Sequence, residues 1–193
     1  MLTHKETLTR YLQNQRDALL WKVDGLGEYD LRRPLTPTGT NLLGLLKHLG
    51  TVEYDYFGDV LGRPAPEPMP WAEDDAEDNA DMFATAEESA DGVIAFYRRA
   101  CSHADETIAA LDLDAEGFVP WWGPERGHTT LQLLLVHMIA ETARHAGHAD
   151  IVREAIDGEA GLTARNGNLP PGDAGWWGSY RDRLQSIAER FRN

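Results

Sequence analysis

The sequence predicts an all-α helical bundle, and three observations carry that reading. Apolar residues recur at three- and four-residue spacing in five segments, and helix-start and helix-stop residues bracket those segments. No stretch alternates apolar and polar residues for long enough to suggest a strand. At 193 residues and 42% hydrophobic, the chain can build one real core, so a single domain over 1–193 is expected.

The first helix is expected from about Lys5 to Asp24, with Thr3 and Glu6 as a capping box and Gly25 and Gly27 as its stop. A turn-rich stretch, Arg33-Pro34-Leu35-Thr36-Pro37-Thr38-Gly39, precedes a second helix. That helix should start at Thr40 as N-cap and run to about Leu61, where Gly62 and Pro64 stop it. Residues 62–83 hold Pro64, Pro66, Pro68 and Pro70 and an acidic run at Asp74, Asp75, Glu77 and Asp78. They are expected to form a solvated, mobile loop, with closure over a site as the alternative.

The third helix should begin at Thr85, with Glu88 completing a capping box, and run to about Leu111. The connection Trp121-Trp122-Gly123-Pro124 leads to Thr129 or Thr130 as N-cap of a fourth helix over 131–157, ended by Gly158. A last helix is expected over about 174–191, with Trp177, Tyr180, Leu184, Ile187 and Phe191 as its apolar stripe.

Composition excludes several functions. The net charge of -14, with no Lys/Arg stripe, argues against nucleic-acid binding. There is no apolar run of transmembrane length, and the N-terminal stretch MLTHKETLTRYL lacks the apolar centre of a signal peptide, so a cytoplasmic protein is expected. The single cysteine, Cys101, allows neither an internal disulfide nor a cysteine-rich zinc site and is read as packing. Lysine occurs only at 5, 22 and 47. The preference for Arg, with many Ala, Gly and Asp, is the bias of a GC-rich bacterial genome.

Helical phase sorts the histidines. In the fourth helix Leu131, Leu134, Leu135, Met138, Val152 and Ile156 define the apolar arc. Glu141 and His145 fall within it, four residues apart and on one face, while His137 and His148 lie nearer its edge. A carboxylate among leucines is costly unless a cation meets it, which points to a metal. The competing reading pairs Glu141 with Arg144 or Arg153 and makes His145 a core histidine. On the second helix, His48 and Asp55 sit at the margin of the arc of Leu42, Leu45, Leu49, Val52, Tyr56 and Val60. His103 reads as a surface residue, and His4 and His128 have no helical warrant.

The segments LLLVHMIAETARHAGHADIVREAIDG (133–158), WWGPERG (121–127) and TNLLGLLKHLGTVEYDYFG (40–58) resemble the DinB-like family. The likeness is greatest to its mycothiol-dependent S-transferase branch. It covers nearly the whole chain and implies an up-down-down-up four-helix bundle, here with an additional C-terminal helix. It also implies a metal site at one end, with one histidine from the second helix and two ligands from the fourth. Carried over, these fall on His48, Glu141 and His145. Many relatives have histidine at the position of Glu141 and Arg-Gly-Gln after the second histidine, where this chain has Ala-Gly-His. His148 is therefore an alternative ligand or a support for one.

Three protein ligands leave a coordination position open, as catalytic zinc sites do. Two imidazoles and a carboxylate suit zinc first, with nickel, iron and manganese also compatible. A thiol arriving there loses its proton, so the resemblance implies S-transfer from a small-molecule thiol to an electrophile. Relatives use mycothiol in actinobacteria and bacillithiol in Firmicutes, and the Arg-rich composition favours the first. Alternatives are a mycothiol-dependent isomerase (expected to need a further C-terminal domain), a metal-dependent hydrolase, and a non-enzymatic metal-binding bundle. Trp121, Trp122 and Asp55 are candidate substrate-binding residues, whereas Trp177 is expected to plug a helix end. A homodimer is compatible with the family; no membrane or nucleic-acid partner is expected.

Overall fold

The structure, a computed structural model, describes residues 1–192. Helix α1 (His4–Val23) starts on the expected capping box: the Thr3 side chain accepts from the Glu6 backbone, and the Glu6 carboxylate accepts from the Thr3 backbone at 2.7 Å. A short helix, α2 (Glu28–Arg32), follows Gly27 and was not expected. Its Glu28–Arg32 ion pair is local, and both side chains also reach the segment 85–90, where Arg32 donates to Thr85 O and Glu28 accepts from Ala90 N.

Helix α3 (Leu42–Phe57) is capped by Asn41 rather than Thr40, because the Asn41 side chain accepts from the Gly44 backbone at 2.7 Å while donating to Met82 O. It stops at Phe57, short of the expected Leu61, since Gly58 leaves helical geometry at φ -102° and ψ -91°. A β-carbon there would lie 2.1 Å from Tyr54 O, so only glycine allows the break. Helix α4 (Ala90–Ala110) takes Ser89 as its cap, not Thr85. Glu88 does accept from the Thr85 backbone at 2.7 Å, but this closes a turn ahead of the helix, and Lys47 pairs with the same carboxylate.

Strands β1 (Glu116–Phe118) and β2 (His128–Thr130) form an antiparallel hairpin, with Phe118 opposite His128. Strands this short carry no readable alternation, which is why the sequence shows none; His128 is thus a strand residue. Helix α5 (Leu131–Asp157) begins at the expected cap Thr130 and ends at Gly158, in the left-handed region at φ 81°. Helix α6 (Ala174–Glu189) starts from Asp173 and buries no residue. Trp177 lines an open cavity of about 890 Å³ together with Gly158, the residue that ends α5, and Leu184.

The long helices run up-down-down-up. Lys22 of α1 meets Asp150 near the end of α5, so these two are parallel, whereas His48 and Tyr56 of α3 face His145 and His137 in reverse order. Helices α3 and α4 are parallel, with Lys47 beside Glu88 and Gly50 against Phe96 and Tyr97. The connection over 58–89 makes that crossover. Two leucine-rich clusters fill the interior, one around Leu42, Leu46 and Val93, the other around Phe57, Leu134 and Met138. At the interior, fully buried Arg16 forms a two-pronged ion pair with fully buried Glu53, at 2.7 and 2.6 Å, and its remaining nitrogen reaches Asp105 at 2.7 Å. No helix among the described residues is long and apolar enough to cross a membrane.

Candidate metal centre

The antiparallel pairing of α3 and α5 brings His48 opposite Glu141 and His145. The spacing of four residues in α5 stacks Glu141 beneath His145, whose Nε2 lies 3.0 Å from Glu141 Oε1. From α3, His48 Nε2 approaches the same oxygen at 3.4 Å. One donor atom from each residue lies within 4.8 Å of the others. A tetrahedral ion with ligands at about 2.0–2.1 Å sets neighbouring donors roughly 3.3 Å apart, close to the 3.0 and 3.4 Å that separate Glu141 Oε1 from the two imidazole nitrogens.

Neither arginine of the competing reading reaches Glu141. Arg153 pairs with Asp157 at 2.8 Å and donates to the backbone oxygens of Lys22 and Asp24, and Arg144 is exposed. Glu141 is not sealed among leucines: its side chain keeps 28% of its surface exposed, on the flank of the arc that Leu134, Leu135 and Met138 bury. What calls for a cation is the convergence of two imidazole nitrogens on one carboxylate oxygen.

Asp81, which the sequence reading missed, completes the arrangement. It accepts from His48 Nδ1 at 2.7 Å, which holds the imidazole with Nε2 facing Glu141. Asp81 lies in a 3-10 turn, Ala80–Met82, within the segment expected to be a solvated loop. The acidic residues Glu73, Asp74, Asp75, Glu77 and Asp78 of that segment are exposed as expected. Its flanks are not: Trp71 donates to Thr51 Oγ1, and Glu67 meets Tyr54 and Arg99. No local pattern separates Asp81 from its acidic neighbours, so only the folded chain reveals it.

The charged groups of the cluster shift one another. Burial works against a protonated His48, but the Asp81 hydrogen bond and the Asp81 and Glu141 charges raise its pKa above the usual value. Burial and the neighbouring His48 push His145 down. Burial would raise Glu141, but the two histidines outweigh it and hold it low. His148 lies outside the donor cluster; its Nδ1 stands 3.4 Å from His145 Nδ1 on the solvent side. His103, read as a surface residue, instead packs on Tyr54, with Nε2 within 2.8 Å of Arg63 O.

One turn before Glu141, His137 abuts an aromatic group. Its ring contacts Tyr56 at 4.8 Å and Trp122 at 5.0 Å between centroids, and Trp121 Nε1 donates to Tyr56 Oη at 3.1 Å. Asp55, on the α3 face of His48, has its carboxyl pushed up to about 6 by burial first and then by the charges of Asp59 and Asp81, with His48 opposing. Cys101 is half-buried and its thiol is pushed far up by burial, so it remains a packing residue and no nucleophile.

Fold and site together define a helical bundle with a His₂-carboxylate donor cluster between its second and fourth long helices. The family model described as Mycothiol-S-transferase matches residues 7–158, and the chain belongs to that family. The match spans α1 to α5 and stops short of α6. No curated protein matches the chain.

Proposed function

We propose that the protein transfers a low-molecular-weight thiol, mycothiol first, to an electrophilic small molecule, using a divalent cation held by His48 Nε2, Glu141 and His145 Nε2. The observation that supports this most is the convergence of those three donors, with Asp81 orienting one of them. Zinc suits the donor set best, with nickel, iron and manganese as alternatives. When bound, such a cation lowers the pKa of a thiol at its open position, supplying a thiolate at neutral pH.

The chain's own groups then have definable tasks. Asp81 keeps His48 in the tautomer that presents Nε2 inward, and His148 flanks His145 on the outside. Asp55, with a pKa of about 6 close to the donor cluster, accepts the released thiol proton and passes it to solvent. The sulfur lone pair forms a carbon–sulfur bond with the acceptor while the leaving group departs with its bonding pair.

Elemental analysis of purified protein, followed by conjugation assays with mycothiol and a bimane or chloronitroaromatic acceptor, tests the reading. About one equivalent of metal, with conjugate formation lost in His48→Ala together with the metal, is expected. Stoichiometric metal with no thiol conjugate in any acceptor assay overturns the S-transfer reading.

A further inference from the structure

The aromatic group beside the donor cluster has a form that the proton and metal chemistry does not use. Trp121 keeps 55% of its surface exposed, yet its indole is held by the hydrogen bond to Tyr56 Oη and by ring contact with Tyr56 at 5.4 Å. Tyr56 is itself buried and braced by Trp122 and His137, at 5.8 and 4.8 Å between centroids. A large apolar plane is thus both open to solvent and fixed in orientation. The same connection carries two exposed polar residues, Glu125 and Arg126, within five positions of Trp121.

Position decides what this plane can meet. His137, Glu141 and His145 share one face of α5, so the wall begins one turn from the donors. One turn plus the two ring contacts, His137 to Tyr56 and Tyr56 to Trp121, puts the exposed indole at most roughly 16 Å from Glu141. The carbon attacked by sulfur must lie within bonding distance of the open position, so the acceptor's reacting centre cannot sit on the wall. The distal part of a longer co-substrate can. Mycothiol carries its thiol on a cysteine amide-linked to glucosamine, which is joined in turn to inositol. Its first sugar ring lies about 7 Å from the sulfur, two residues' worth of extended chain, and its second lies further out.

We propose that Trp121 is the platform for the sugar headgroup of the thiol co-substrate. The C–H face of a sugar ring packs on the exposed indole, and Glu125 and Arg126 take hydroxyl hydrogen bonds. This rests on the S-transfer reading for the identity of the thiol, but not for the binding itself. The platform sets affinity and thiol choice and leaves chemistry at the donors untouched.

Two measurements on the full-length, zinc-loaded protein test it. Glucosaminyl-inositol, which has no thiol, is titrated against intrinsic tryptophan fluorescence. Binding by the wild type, weakened about tenfold in Trp121→Ala and largely kept in Trp121→Phe, supports the platform. No headgroup binding by the wild type, or equal binding by Trp121→Ala, overturns it. In conjugation assays, Trp121→Ala should lower the ratio of kcat/KM for mycothiol over N-acetylcysteine about tenfold, through KM. An unchanged ratio assigns Trp121 a structural or acceptor role and overturns the proposal. If neither thiol is conjugated by the wild type, the S-transfer reading falls while the headgroup titration still decides this one.

Discussion

Asp81→Ala and Asp81→Asn probe a part of the site contributed by a segment outside the long helices. Asp81 Oδ2 accepts from His48 Nδ1 at 2.7 Å, the length of a charge-assisted bond. Carboxylates that orient a ligating histidine typically contribute 10- to 100-fold to metal affinity, about 1.4–2.7 kcal/mol. The structure places the two variants within that range. Asparagine still accepts from Nδ1 through its amide oxygen but brings no charge, so a loss of about tenfold is expected. Alanine leaves the imidazole free to rotate and to change tautomer, so the loss should approach 100-fold. Competition with a chromophoric chelator at a single buffered pH reads both values, and far-UV circular dichroism checks that the helices persist. The 3-10 turn at Ala80–Met82 lies outside the helices that carry the donors, so a folding defect is not expected. An Asp81→Ala protein that binds zinc within twofold of the wild type would refute the orienting role.

Three further outcomes follow from the same structure. Glu53→Leu leaves the fully buried Arg16 without its two-pronged partner and should cost about 3–5 kcal/mol, roughly 10 °C in Tm, whereas Arg16→Leu/Glu53→Leu should recover most of that; calorimetry showing equal stability for single and double variants would sink this. In metal-free protein, Asp55 prefers to be protonated in the fold, with its pKa raised from an ordinary 3.8 to about 6, so its cost is absent at low pH, grows between those values and is full above them. Asp55→Asn should therefore stabilise the protein by about 1–2 kcal/mol at neutral pH after allowance for solvent, and by nothing at the acid end, and it should slow conjugation; a gain independent of pH would contradict the assignment. Removing residues 173–193 deletes α6, which buries no side chain, and should shift Tm by under about 2 °C; loss of cooperative unfolding would show that α6 belongs to the core.

What the sequence disclosed divides along the range of the interactions involved. Caps such as Thr3 with Glu6, Thr130 and Gly158 are set within one turn of chain, and the structure has them where the sequence puts them. Thr40 and Thr85 look like equally good caps, but each loses to a neighbour with better tertiary support. Asn41 wins because its amide also reaches Met82 O, whereas Thr85 keeps its contact with Glu88 but closes a turn ahead of the helix, and Ser89 caps it. Phase placed Glu141 and His145 on one face but put them deeper in the apolar arc than they lie, since a helical wheel cannot say which flank a neighbouring helix covers. His48 is singled out mostly by the family resemblance, whereas Asp81 and Tyr56 carry no spacing signal toward the site.

That difference bears on how the site holds together. Glu141 and His145 are presented by consecutive turns of one helix, so their relative placement needs only that α5 be helical. His48 joins them only if α3 packs antiparallel to α5, a register fixed on either side of the site by interior contacts: Tyr56 against His137 toward one end, and the cluster that holds Leu42, Leu45 and Val152 toward the other. The third contribution, Asp81, depends on the weakest constraint, a non-helical segment tied down through Trp71, Glu67 and the Asn41–Met82 contact. Disturbance should therefore reach the site in reverse order of that support. Loosening 62–83 costs His48 its orientation first, while the Glu141–His145 pair persists as long as α5 does.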